Sequence, residues 1–130
     1  MHTKGDVLDE QIQQALVADS LIDMTTSGRK SGKPFRKEMA FYWMNDTLYL
    51  SGRPGKRDWY ANLLAKPEFI IHIKQSAQRD IPARATPITD EDDKRAILTK
   101  ILARREMSEQ LEAWVERSPL VVVELYPAAA

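Results

Sequence analysis

Gly28-Arg29-Lys30-Ser31-Gly32-Lys33-Pro34 places two glycines and a proline in seven residues, between two runs of strand-forming side chains. Turn chemistry this dense reverses the chain at once, so the flanking runs pair as an antiparallel hairpin. The first run, residues 20–27, carries Leu21, Ile22 and Met24 ahead of Thr25 and Thr26. The second, residues 35–44, is rich in Phe, Tyr and Trp and reads as one strand. Asn45-Asp46 is a tight turn into a third strand at residues 47–51. Residues 68–74 hold the apolar run Phe69-Ile70-Ile71, and Gln75-Ser76-Ala77-Gln78 turns the chain into an alternating strand at 79–88. Pro82 within that strand predicts an edge position, because proline cannot donate to a ladder. A final apolar strand, residues 120–126, follows the break at Ser118-Pro119.

Helices separate and flank these strands. Residues 6–18 set Val7, Leu8, Ile12, Ala15 and Leu16 near one face, with Asp6 as the expected N-cap. Gly52-Arg53-Pro54-Gly55 breaks the sheet pattern, and Asp58 is expected to cap a short helix carrying Trp59, Leu63 and Leu64. Lys66-Pro67 ends it, since a residue before proline avoids the helical region. Thr89-Asp90-Glu91-Asp92 gives the next helix an acidic first turn suited to the macrodipole; it runs to about Arg105, and another covers residues 108–117. The fold class is therefore α+β, an antiparallel sheet of six strands that curls most simply into a barrel with helices covering its ends. At 130 residues and 43% hydrophobic, the chain reads as one domain, residues 1–130, with a core of its own. It has no internal repeat, and only Pro127-Ala-Ala-Ala looks like a loose end.

Much chemistry is excluded. With no cysteine there is no disulfide, thiolate nucleophile or thiolate metal site. Residues 28–34 have the wrong spacing for a P-loop and end in Lys-Pro, and no βαβ alternation supports a Rossmann fingerprint. Of the two histidines, His2 is terminal and His72 lies mid-strand, where it reads as a strand residue in polar surroundings rather than a base. Lys plus Arg equals Asp plus Glu at 19 each, which weighs against a dedicated nucleic-acid binder. No apolar run is long enough to span a membrane, and the first residues carry no signal-like apolar segment. The expectation is a small cytoplasmic domain.

What remains is positive charge in one stretch. Between residues 28 and 57 stand Arg29, Lys30, Lys33, Arg36, Lys37, Arg53, Lys56 and Arg57, against only Glu38 and Asp46. Ser51-Gly52-Arg53-Pro54-Gly55-Lys56-Arg57 is a basic, glycine-bearing loop that leads into a helix start, where backbone N–H groups and the dipole favour an anion. Phe41, Tyr42, Trp43, Trp59 and Tyr60 flank it. They read as core and hairpin packing or as a flat wall for a ring system. A phosphate grip beside such a wall suits a phosphorylated ring cofactor, which brings its own reactive atom.

Two segments resemble a known family. Thr25-Thr26-Ser27-Gly28-Arg29-Lys30-Ser31-Gly32-Lys33-Pro34-Phe35-Arg36-Lys37 is similar to the T-T-x-G-R-x-S-G-x-x-R segment of the deazaflavin (F-420)-dependent nitroreductases, also called F-420-dependent quinone reductases. Trp59-Tyr60-Ala61-Asn62-Leu63-Leu64-Ala65-Lys66-Pro67-Glu68 resembles the family's W-Y-x-N-L-x-A-N-P, and Pro119-Leu120-Val121-Val122-Val123-Glu124-Leu125 its closing strand. The family belongs to the flavin-binding split-barrel superfamily that includes pyridoxamine-phosphate oxidase. The loop before Trp59 is shorter than the G-G-x-x-x-H-P type of many members, so the choice between F-420 and FMN stays open.

The resemblance implies a six-stranded split β-barrel, a homodimer, and F-420 or FMN in a groove at the barrel edge. Arg36 and Lys37 would hold the phosphate side. Glu38, Met39, Ala40 and Phe41 would run along the ring through their backbone. Ser51, Gly52 and Arg53 would contact the ring or its side chain, Lys56 or Arg57 would steady negative charge, and Trp59, Tyr60 and Asn62 would complete the groove. The implied activity is hydride transfer from the reduced deazaflavin to a small electron-poor acceptor such as a quinone, nitro compound or enone. The alternatives are an FMN-dependent reductase or oxidase, and a non-enzymatic protein that binds a flavin or tetrapyrrole on the same barrel.

Overall fold

The computed structural model describes residues 10–126; the cap expected at Asp6 and the loose end expected at Pro127 lie outside them. Helix α1 (Glu10–Ala18) is followed by strands β1 (Leu21–Ser27), β2 (Pro34–Ala40), β3 (Tyr42–Met44) and β4 (Thr47–Ser51). Then come α2 (Asp58–Ala65), β5 (Glu68–Ile73), β6 (Arg79–Pro87), α3 (Glu91–Arg104), a single 3₁₀ turn (Ser108–Gln110), α4 (Leu111–Arg117) and β7 (Leu120–Leu125). The two hairpins form where the turn residues stand. Gly32 takes φ 75°, and Gly28 donates to Lys33 O at 2.7 Å across the first turn. A Cβ on Gly28 would sit 2.6 Å from the Phe35 ring, so this close approach requires glycine. Asn45 and Asp46 both have positive φ, 51° and 58°, the signature of a two-residue type I′ turn.

Among the described residues the sheet has seven strands in the order β2-β1-β5-β6-β7-β4-β3, every pairing antiparallel. The expected count of six is corrected by the run 35–44, which is not one strand. It breaks at Phe41, which is 6% exposed and belongs to the core. The half before Phe41 pairs with β1 and the half after it with β4, at opposite edges of the sheet. One straight strand cannot serve both edges, so the chain bends there and the sheet curls until its edges are joined through that residue.

Pro82 is also corrected: β6 lies between β5 and β7, not at an edge. Its carbonyl accepts from Tyr126 N–H at 2.8 Å, just past the end of β7. Along a strand a residue's N and C=O point to the same neighbour, so the missing donor falls where the ladder ends.

The barrel is filled by inward side chains including Met24, Leu48, Leu50, Ile71 and Ile81, and α1 adds Ile12, Ala15 and Leu16. A second core lies under α3 and α4, where Leu98, Ile101, Leu102 and Trp114 pack on Tyr42, Met44 and Leu120. Asp90 caps α3 by accepting from Asp93 N–H at 3.0 Å. No helix among the described residues is long and apolar enough to cross a membrane.

Candidate functional site

A cavity of about 810 Å³ opens between the β1–β2 hairpin and α2. Register decides which side chains face it. Met24 stands opposite Lys37, and Thr26 opposite Phe35, so these four share one face of the β1–β2 pair. Arg36 and Glu38 alternate to the other face, opposite Thr25 and Asp23. From α2 and the loop before it come Lys56, Arg57, Asp58, Trp59, Tyr60, Ala61, Asn62 and Leu64, and from the hairpin turn Gly28, Arg29, Lys30 and Ser31. Arg29, Lys30, Lys37, Lys56 and Arg57 line the cavity against one carboxylate, Asp58; Arg36 borders it but turns its guanidinium to the other face.

These cations divide by what they already hold. Arg29 Nη1 donates to Asn62 Oδ1 at 2.9 Å and its Nη2 lies 3.3 Å from Asp58 Oδ1. Arg57 curls onto its own loop, donating to Lys56 O at 2.9 Å and Arg53 O at 3.0 Å. Arg36 Nε donates to Asp23 Oδ2 at 2.9 Å on the far face of the sheet. The side chains of Lys30, Lys37 and Lys56 are exposed and bond to none of the described residues. Arg29 and Arg57 therefore build the walls, Arg36 turns away, and the lysines are free to meet an anion.

Asn62 ties the two walls together. It is 4% exposed, and its Oδ1 accepts from both Arg29 N–H (3.1 Å) and Arg29 Nη1, while its Nδ2 donates to Thr26 Oγ1 at 3.3 Å. A buried amide bonded this fully is a structural fastener. Asp58 is corrected from cap to first helical residue. The N-cap is Arg57, which makes no side-chain cap bond, so the first N–H groups of α2 have no side-chain acceptor. Asp58 is drawn away from the helix start by Arg29.

Of the residues expected in the site, Arg36, Lys37, Lys56, Arg57, Trp59, Tyr60 and Asn62 line the cavity. Glu38, Met39, Ala40, Phe41, Ser51, Gly52 and Arg53 do not. Met39 and Phe41 are in the barrel core, and Ala40 packs against the second core. Glu38 pairs with Lys74 on the far face, and Ser51 Oγ donates to Pro119 O at 2.6 Å. Gly52 lies beside Pro119 and Trp59, and Arg53 is exposed with its carbonyl taken by Arg57. The reading of the sequence missed Met24, Thr26 and Phe35 in the lining, which period-two alternation from Lys37 across the hairpin would have found.

His72 stands apart from the cavity. It is 6% exposed, with Nδ1 2.7 Å from Asp80 Oδ1 and Nε2 2.7 Å from Thr25 Oγ1, the polar surroundings expected of it. Beside it, Asp23 Oδ1 lies 2.7 Å from Lys74 Nζ. Hydrogen bonds from Lys74 and then Arg36 hold the Asp23 carboxyl below its ordinary value. Bonds to Asp23 and then Glu38 hold Lys74 above its own.

Residues 6–126 match the family described as F420H(2)-dependent quinone reductase. No curated protein matches the chain by sequence. Among solved structures it resembles a proposed 5-nitroimidazole antibiotic resistance protein from Bacteroides thetaiotaomicron, at 20% identity and TM-score 0.63 over 96% of this chain and 81% of that one. An F-420 reductase matches at 19% identity and TM-score 0.63, covering 91% and 95% of the two chains. A FAD-binding protein from Mesorhizobium loti matches at 14% and 0.63, covering 95% and 90%. These likenesses carry the fold, a curled antiparallel sheet with flanking helices. The family match spans the hairpin, α2 and the closing strand alike, and the chain therefore belongs to the quinone reductases that depend on reduced F-420, as an oxidoreductase of the split-barrel type.

Proposed function

We propose that this chain binds F-420 in the cavity between the β1–β2 hairpin and α2 and reduces a small electron-poor acceptor, a quinone, nitro compound or enone. The observation that carries this reading is the cavity's charge: five cations, Arg29, Lys30, Lys37, Lys56 and Arg57, against one carboxylate, with three lysines unengaged. Lys30, Lys37 and Lys56 would each give a phosphate or carboxylate oxygen a charge-assisted hydrogen bond, about 1.5–3 kcal/mol apiece. The uncapped first turn of α2 adds oriented N–H groups. Phe35 and Tyr60 give the cavity flat apolar surface for the ring system. The bound deazaflavin supplies the hydride. The protein's own part is to hold the anionic end, orient the ring and exclude water; Arg29 and Asn62 keep the walls at a fixed spacing.

The proposal takes residues 1–130 as one domain, acting as a homodimer in the cytoplasm. FMN is the second reading, favoured by the same phosphate grip and by the short loop 52–57. Fluorescence titration with F-420 and with FMN separates the two. Micromolar binding of F-420 supports the reading, preferential binding of FMN moves it to the alternative, and binding of neither defeats both.

A further inference from the structure

The basic loop 52–57 is braced by one of its own cations. Arg57 is half-buried, and its guanidinium forks back onto the chain that precedes it: Nη1 donates to Lys56 O at 2.9 Å and Nη2 to Arg53 O at 3.0 Å. Gly55 leaves room for that fork. A Cβ there would stand 3.1 Å from Nη1, and its φ of 128° is one that residues with side chains rarely adopt. The Gly55 N–H in turn donates to Arg117 O at 3.1 Å, at the end of α4. The backbone at Lys56 is thus held on both sides, by α4 through Gly55 and by Arg57 through the Lys56 carbonyl. The Lys56 side chain is exposed, lines the cavity and bonds to none of the described residues.

A loop with two glycines and no such tie samples many conformations, and fixing one of them on binding weakens the complex. A planar guanidinium spans two carbonyls in a fixed fork, which an ammonium does not. Resting on the placement of F-420 in this cavity, we infer that Arg57 is a positioning residue: it does not grip the anion but presets the loop so that Lys56 meets it. The two neighbouring cations then act differently, one at the anion and one behind it.

A double-mutant cycle on the full chain tests this, with F-420 titrated by fluorescence and inorganic pyrophosphate by calorimetry. Lys56→Ala should weaken binding by about tenfold, the loss of one charge-assisted hydrogen bond. Arg57→Ala should approach the same loss, and so should Arg57→Lys, which keeps the charge without the fork. Adding either to Lys56→Ala should bring less than about threefold more, because Arg57 acts through a side chain already gone. In the protein without ligand, Arg57→Ala should speed amide exchange at Gly55 by about tenfold, while Ile71 in the barrel core keeps its rate. Affinity kept by Arg57→Lys, or unchanged exchange at Gly55, overturns the inference. If F-420 binds and the double variant loses a further tenfold or so, the inference falls alone. If F-420 does not bind and pyrophosphate shows the same failure of additivity, the placement of the cofactor falls and the brace stands. If neither binds the wild type, both fall.

Discussion

Asn62 Oδ1 accepts two hydrogen bonds from one residue, the backbone N–H and the guanidinium of Arg29, at 3.1 and 2.9 Å. With the bond from Asn62 Nδ2 to Thr26 Oγ1, a single buried amide on α2 fixes the turn that follows β1. Asn62→Ala should therefore destabilise the fold by about 1–3 kcal/mol, because the Arg29 N–H and the Thr26 hydroxyl lose their partner. Chemical denaturation measures this. Unchanged stability would mean the hairpin holds its place without α2.

Lys37 and Arg36 are neighbours in sequence and opposites in the sheet. The Lys37 side chain shares its face with Met24 and bonds to no side chain or backbone group of the described residues, whereas Arg36 is paired with Asp23 behind the sheet. Lys37→Ala should weaken F-420 binding by about tenfold, the loss of one charge-assisted hydrogen bond. Arg36→Ala should change affinity by less than about threefold, and stability by no more than about 1 kcal/mol, the scale of an exposed ion pair. Parallel fluorescence titrations decide it, and equal losses in the two variants would refute the division.

How far the sequence could be read follows from these residues. Turn chemistry is local, so both hairpins stood where glycine, proline and Asn45-Asp46 put them. The basic stretch was visible, since charge is read directly from composition. Its partition was not: pairing of Arg57 with its own carbonyls, or of Arg29 with Asn62, depends on where loops fold back. The break at Phe41 was hidden as well, because strand propensity is uniform across 35–44 and only closure of the sheet demands a bend. Asp58 looked like a cap because the type of residue is right; a guanidinium from a distant turn draws it off.

Phe41 carries a double load, as the bend between the sheet's two edges and as a buried ring in the barrel core. Phe41→Ala should cost about 3–5 kcal/mol, the usual range for deleting a core phenylalanine. Phe41→Leu should cost clearly less, because it refills most of the volume and leaves the bend in place. Denaturation midpoints for the two variants check the order. If they are equally unstable, the bend needs the aromatic ring and not its volume.

The Asp23–Lys74 pair gives stability a predictable pH dependence. Asp23 is held below the ordinary value of 3.8 by hydrogen bonds from Lys74 and Arg36. A carboxyl depressed in the folded state contributes stability that is full above its unfolded value and is lost as pH falls through its folded one. Lys74 is held above 10.5 by Asp23 and Glu38. An amine raised in this way contributes fully below its unfolded value and loses the contribution as pH rises through its folded one. Asp23→Asn removes the carboxylate from both relations. Thermal melts of wild type and Asp23→Asn from about pH 2 to about pH 11 should thus differ most on the plateau between the two limits. The curves should begin to converge as pH falls below 3.8 and meet only once it has passed the depressed folded value, where the native carboxyl takes up its proton. As pH rises above 10.5 through the raised folded value of Lys74 they should converge only in part, because the Arg36–Asp23 pair persists in the wild type. A difference that stays constant down to the acid limit would show that Asp23 acts there by packing rather than by charge.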